Sequence, residues 1–190
     1  MKHRWWKRAL GLFLLGLLAI LLLNSASFLK IFYPFPHREL VQEHSLKYQI
    51  DPLLAIAVIR TESRFYAEAR SRAGARGLMQ IMPETGEWIA RQLKLPDYTE
   101  DKLFQPEYNI HMGIWYLSYL QKSFGGNIPQ MLAAYNSGDT KVRKWLDEEI
   151  WSGSEYDLEQ IPYEETRKYV ERVLFNYRVY QRIYRKKWLG

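Results

Sequence analysis

Residues 51–80 read DPLLAIAVIRTESRFYAEARSRAGARGLMQ, and the fold follows from how this stretch divides. Asp51-Pro52 is a helix start: aspartate suits the N-cap, and proline suits the first helical position, where its missing N–H costs nothing. Leu53 to Ile59 then runs apolar without a break, the pattern of a helix buried on every side. Glu62 lies four residues after Val58 and three after Ile59, so it shares their face near the C-terminal end. Desolvation and the negative end of the helix dipole both favour its protonated form there. A general acid working at neutral pH needs that environment. Arg60 and Arg64 oppose the effect wherever they point toward it, and a surface glutamate at a frayed helix end is the plain alternative. Beyond Glu62 the stretch passes through a small basic loop and closes on Gly77-Leu78-Met79-Gln80.

Outward from here, the punctuation predicts a series of helices. A first helix is expected over residues 38–48, and the apolar one over 52–62. Pro83-Glu84 opens a helix to about Leu93, and Leu95-Pro96-Asp97-Tyr98 is a connector. Pro106 starts a longer helix to about Phe124, with Ile110, Ile114, Leu117 and Tyr119/Leu120 as one apolar stripe. Gly125-Gly126-Asn127 breaks it. Ile128–Asn136 forms a short helix, Asp139 caps another to about Leu146, and a terminal helix runs over about 164–185. No segment shows the period-two alternation of a strand, so the chain is α-rich, with short helices and functional loops.

The 190 residues allow one ordinary domain plus an appendage. There is no cysteine, which excludes disulfides, thiolate metal sites and thiol nucleophiles. The net charge of +6 is concentrated: Lys2, Arg4, Lys7, Arg8 and Lys30 lie in residues 1–30, which hold no acid. The rest is close to neutral and does not read as a nucleic-acid binder. A second basic cluster, Arg172, Arg178, Arg182, Arg185, Lys186 and Lys187, follows the last acid, Glu171. It reads as a solvated helix face, with contact to anionic lipid or wall polymer as the sharper alternative. Most of the 14 Tyr and 7 Trp belong in a core, while a surplus of them also suits a cleft that stacks on sugar rings, and composition alone does not decide between the two.

At the N-terminus, KHRWWKR precedes an apolar run from Ala9 to Leu23, 15 residues long. With Trp5, Trp6, Phe32 and Tyr33 as interfacial aromatics, the reading is a membrane anchor over residues 9–29, a cleaved signal being the alternative. Residues 1–8 then stay in the cytoplasm and the rest is exported. Tyr33-Pro34-Phe35-Pro36 is a stiff spacer that cannot be helical throughout, within residues 30–37. The domain proper begins at residue 38.

His3, His37, His44 and His111 are scattered and form no metal-ligand spacing, so no metal or cofactor is expected. No G-x-S-x-G elbow or phosphate-cradling loop is present. What remains is Glu62 with several polar and aromatic blocks. Those blocks are Glu62-Ser63, then Ser71…Gly74-Ala75…Gly77-Leu78-Met79-Gln80-Ile81-Met82-Pro83…Thr85, then Asn109-Ile110…Gly113…Tyr116-Leu117. Ala134-Tyr135-Asn136-Ser137-Gly138 and Ile161-Pro162-Tyr163-Glu164-Glu165-Thr166-Arg167-Lys168-Tyr169-Val170 follow. In order and spacing these resemble the soluble (family 1) lytic transglycosylases, over about residues 38–185.

The resemblance implies an all-α, lysozyme-like catalytic domain over residues 38–190, built of short helices around a substrate cleft, and peptidoglycan glycan strands as substrate. It implies Glu62 as sole acid/base, cleaving the MurNAc–GlcNAc bond with closure to a 1,6-anhydro product. No partner carboxylate stands out near Glu62, which fits an intramolecular hydroxyl as nucleophile in place of the usual carboxylate pair. Ser71, Gln80, Met82, Tyr135, Asn136 and Glu165 would line the cleft, and Tyr135 would hydrogen-bond Glu62 or stabilise cationic charge. Each has a plainer alternative: Ser71 as a turn residue, Met82 and Met79 as core, Asn136 as part of a helix C-cap, Glu165 in a structural ion pair. Two rival functions stay open, a hydrolytic muramidase on the same fold and a non-catalytic wall-binding module.

Overall fold

The computed structural model describes Trp5, residues 10–18 and residues 26–185. The helices are α1 (Ala26–Phe32), α2 (Arg38–Tyr48), α3 (Pro52–Ser63), α4 (Pro83–Leu93), α5 (Pro106–Ser123), α6 (Ile128–Ser137), α7 (Asp139–Asp147) and α8 (Glu164–Tyr184). Two 3₁₀ turns, Glu100–Phe104 and Glu155–Gln160, lie between them, and residues 10–18 are also helical. Among the described residues there is no strand, only the isolated bridges Arg70–Arg76 and Arg76–Ile81. The architecture is all-α, as the punctuation of the sequence requires.

Contacts divide the chain into two units, residues 36–179 and residues 1–35 with 180–190. In the larger unit, α3 begins as its sequence dictates: Asp51 accepts from the Leu53 N–H at 2.8 Å, and Pro52 is the first helical residue. Leu53 to Ile59 are all buried. Ile56 and Ile59 alone contribute about 1.5–3 kcal/mol each by leaving water. Helix α5, with Ile110, Ile114, Leu117 and Leu120 fully buried, packs against α2, α4 and α6. Helix α8 lays Thr166, Tyr169, Val170, Val173 and Leu174 into the interior. Asn176 donates to the Thr61 hydroxyl at 3.0 Å and Tyr177 to the Asp51 carboxylate at 2.6 Å, tying α8 to both ends of α3.

In the smaller unit, Tyr180 and Tyr184 donate to the Pro34 and Tyr33 carbonyls, both at 2.8 Å. Phe35 packs edge-on against both rings. Tyr33 to Phe35 are non-helical, as the two prolines demand.

One expectation needs correction. Asp139 is the first residue of α7, not its cap; Gly138 takes that position with φ 91°. A single residue separates α6 from α7, and the positive φ of that abrupt turn falls to glycine. Helix α1 runs across the expected boundary between anchor and spacer at residues 29 and 30. The expected membrane helix over 9–29 lies partly outside the described residues. Among those described, no helix is long and apolar enough to cross a membrane, while residues 10–18 are helical with Leu12, Phe13 and Leu15 exposed.

Candidate active site

Glu62 lies in the last turn of α3, one residue before the helix ends. The Ser63 hydroxyl donates back to the Ile59 carbonyl at 3.2 Å and accepts from the Phe65 N–H at 3.1 Å, which closes the turn. Arg64 and Phe65 follow with φ of 51° and 72°, two consecutive non-glycine residues in the left-handed region. Each costs roughly 1–2 kcal/mol, strain of the kind that accumulates where the chain must hold a side chain in place.

The loop from Ala69 to Met82 is held by buried polar groups. Asn109, 0% exposed on α5, accepts from the Met79 N–H at 2.7 Å. Its amide donates to the carbonyls of Arg76 at 2.9 Å and Leu103 at 2.7 Å. Tyr135 on α6 donates to the Met79 carbonyl at 2.9 Å, so Met79 is pinned at both its backbone groups. Gly77 has φ 78°, and a Cβ there would stand 2.0 Å from the Leu103 carbonyl oxygen and 2.3 Å from the Asn109 amide nitrogen. Only glycine fits that approach. A Cβ on Gly113 would likewise meet the Met79 sulfur at 2.3 Å, so the methionine packs directly on the α5 backbone.

Glu62 keeps a partial opening to solvent, yet protein surrounds its carboxyl closely enough that burial raises its pKa to about 7. Tyr169 and Arg172, both on α8, pull the other way, and Glu165 on the same helix adds to the rise. Residues 165, 169 and 172 follow i, i+4, i+7 spacing, which presents all three to α3. The Tyr169 hydroxyl is buried and has no partner at full hydrogen-bond geometry among the described residues, but it lies near enough to favour the Glu62 anion. Burial and the charge of Glu62 hold both Tyr135 and Tyr169 well above the ordinary tyrosine range, so both phenols stay protonated donors.

Of the residues singled out in the sequence, the structure therefore brings Tyr135 and Glu165 within electrostatic reach of Glu62. The Tyr135 proton is spent on Met79, and Tyr169 is the phenol that faces the carboxylate. Gln80 has φ 48°, and its amide nitrogen donates to the Gly77 and Ala69 carbonyls at 2.8 and 3.1 Å, leaving its oxygen as the free acceptor. Ser71 accepts from the Ala75 N–H at 2.9 Å as a turn residue does. Asn136 accepts from the Thr166 hydroxyl at 2.8 Å, joining α6 to α8. Met82 is 38% exposed beside the loop, whereas Met79 is wholly buried. None of Ser71, Gln80, Met82 and Asn136 hydrogen-bonds Glu62.

Sequence reasoning missed Tyr169, Arg172 and Asn109. Tyr169 and Asn109 stand inside the blocks that carried the resemblance, and Arg172 was read as part of a solvated basic face. Of that face, Arg172 is exposed, donates to the Lys168 carbonyl at 3.1 Å and lies within electrostatic reach of Glu62, and Arg178 pairs with Glu155 at 2.6 Å.

Known proteins resemble this chain over most of its length. The soluble lytic murein transglycosylase of Salmonella typhimurium is 37% identical over 147 residues, which are 75% of this chain and 22% of that protein. The membrane-bound lytic murein transglycosylase C of Edwardsiella ictaluri is 30% identical over 166 residues, 76% of this chain and 46% of that protein. The crystal structure of the 70 kDa soluble lytic transglycosylase from Escherichia coli superposes with a TM-score of 0.77 at 34% identity, covering 82% of this chain and 25% of that one. The chain thus spans only about a quarter of the soluble proteins it matches. The fold is lysozyme-like as well as all-α. Residues 39–157 match the model of the transglycosylase SLT domain, and the chain belongs to that family.

Proposed function

We propose that this chain is a peptidoglycan lytic transglycosylase with Glu62 as its acid/base. The observation that carries the proposal is a carboxyl at the end of a buried helix, raised to about 7 by desolvation, with a phenol and a guanidinium within electrostatic reach. Near neutral pH about half such groups hold a proton, so the same residue serves as acid and then as base. Protonated Glu62 gives its proton to the glycosidic oxygen as the C1–O bond breaks. Tyr169 and Arg172 stabilise the carboxylate left behind, and the negative charges of Glu62 and Glu165 favour the cationic sugar. Glu62 then takes the proton of the muramic C6 hydroxyl, whose oxygen bonds to C1. No water is consumed, and the product ends in 1,6-anhydroMurNAc.

The loop over residues 69–82 forms one wall of the cleft, with the Gln80 oxygen as acceptor, Met82 as an exposed apolar contact and Ser71 at its turn. Tyr135 braces that wall, and Asn136 joins the helix that carries Tyr135 to α8. Residues 38–190 form the catalytic domain. Residues 9–29, apolar without a break from Ala9 to Leu23, anchor it to the membrane with the domain on the extracytoplasmic side, periplasmic or facing the wall.

One observation favours a second reading. Glu165 supplies the second carboxylate that seemed absent from the sequence, and a carboxylate pair is what hydrolytic muramidases use. Turbidity clearance of purified peptidoglycan by the detergent-solubilised chain tests the proposal. Clearance is expected from the natural protein and none from Glu62→Gln; an active Glu62→Gln variant refutes the assignment.

A further inference from the structure

We propose that an aromatic cleft beside the Glu62 site binds a primary ammonium group carried by the peptidoglycan strand. The proposal rests on the substrate class given above. The cleft holds about 380 Å³ and is lined by Trp88, Tyr116, Tyr119, Thr85, Glu84 and Asp139. Tyr116 and Tyr119 lie nearly parallel, at 11° with centroids 6.2 Å apart. Trp88 stands steeply to both, at 79° and 6.1 Å to Tyr116 and 71° and 5.0 Å to Tyr119. The three rings thus form an aromatic wall along the cleft, and a ring face turned to a small cation offers it negative π-density. Trp115 stacks on Tyr119 at 5.9 Å and stiffens that wall.

Charge points the same way. Glu84 and Asp139 stand in the first turns of α4 and α7, from separate parts of the chain. Neither forms an ion pair among the described residues, so two carboxylates border the aromatic wall without a cation of the protein's own. Asp139 spends one oxygen on the Thr140 N–H at 2.9 Å and keeps the other. Neutral sugar hydroxyls gain little from unpaired carboxylates, whereas an ammonium gains from both charge and ring faces.

The cleft adjoins the site through one ring contact. Tyr116 packs on Tyr135 at 5.4 Å, and Tyr135 both braces Met79 and feels the charge of Glu62. The cleft thus lies one ring away from the residue that braces the Met79 loop. Peptidoglycan offers primary amines from two sources: the free amino group of a diamino acid in the stem peptide, and glucosamine that has lost its acetyl group.

Binding of the full chain in detergent to four probes tests the idea. They are a muropeptide with a free diamino-acid amine, the same muropeptide with that amine acetylated, a peptide-free fully acetylated strand, and a peptide-free strand partly de-N-acetylated. Native protein should hold the free-amine muropeptide about tenfold more tightly than the acetylated one, a gap that closes in high salt. The Glu84→Gln/Asp139→Asn double variant should lose the discrimination. A gain with the de-N-acetylated strand assigns the amino sugar as a source, and a gain confined to the muropeptide assigns the stem peptide. Equal affinity for all four probes overturns the ammonium site while leaving the enzymatic reading standing. Absence of binding to every probe counts instead against the substrate class itself.

Discussion

Glu62 should cost the protein stability at the pH where it works. Its carboxyl titrates at about 7 in the folded chain against 4.5 when unperturbed. The folded state therefore binds more protons than the unfolded one between those values. The stability linked to Glu62 is fully present below pH 4.5 and is lost as pH rises through 7. By pH 8 the loss amounts to about 3 kcal/mol. Glu62→Gln fixes the side chain in a neutral form of the same shape, and so removes the loss. At pH 8 the variant should be more stable by up to about 3 kcal/mol, which raises Tm by about 6–10 °C for a chain of this size. At pH 4 the two proteins should melt together. Thermal and urea unfolding at both pH values measure this, and subtracting variant from natural protein cancels every other titration. A variant with no gain at pH 8, or with the same gain at pH 4 and pH 8, refutes the claim that burial of this carboxyl sets its pKa.

Tyr169→Phe removes a group that favours the Glu62 anion, so the alkaline limb of kcat/KM against pH should move upward from about 7; an unmoved limb would mean the phenol does not act on Glu62. Asn109→Ala strands the Met79 N–H and two loop carbonyls in the interior and should cost about 3 kcal/mol by urea titration, with clearance of peptidoglycan lost alongside. His44 and His111 stack at 4.5 Å between centroids, with the Tyr48 hydroxyl 2.7 Å from His111 Nε2. Burial lowers both, His111 to about 4, with its stacked neighbour and Lys47 adding to the shift, while Glu43 opposes it at His44. The folded state binds fewer protons here, so stability is present above about 6.5 and is lost as pH falls toward 4. His111→Gln should flatten that part of the pH–Tm curve; an unchanged curve would assign the acid sensitivity elsewhere.

The helices were legible because their ends are written in local chemistry. Asp51-Pro52, Pro83, Pro106 and Gly125-Gly126 mark boundaries that tertiary packing has no reason to move. Asp139 misled because a cap residue and a first-turn residue carry the same composition, and only the backbone angle of Gly138 separates them. Within the site, the raised pKa of Glu62 could be read from its apolar face, since desolvation depends on what precedes it in the same helix. The identity of its neighbours could not. Tyr169 and Arg172 reach Glu62 from a helix more than 100 residues away, and nothing local distinguishes Arg172 from the solvated arginines around it. Gln80 and Tyr135 stand in the right blocks, but their bonds to the Gly77, Ala69 and Met79 carbonyls could not be read there. Their polar atoms hold the loop that forms the cleft, and that division of labour depends on side-chain direction, which spacing does not encode.

The central claim is that one carboxyl does the work of two because the substrate brings its own nucleophile. Digestion of intact peptidoglycan in ¹⁸O-water, followed by mass spectrometry of the released fragments, tests it most directly. The account predicts 1,6-anhydromuramic ends free of ¹⁸O from the natural protein and no fragments from Glu62→Gln. Reducing ends that carry ¹⁸O would contradict it and make Glu165 the partner of Glu62 in a hydrolase.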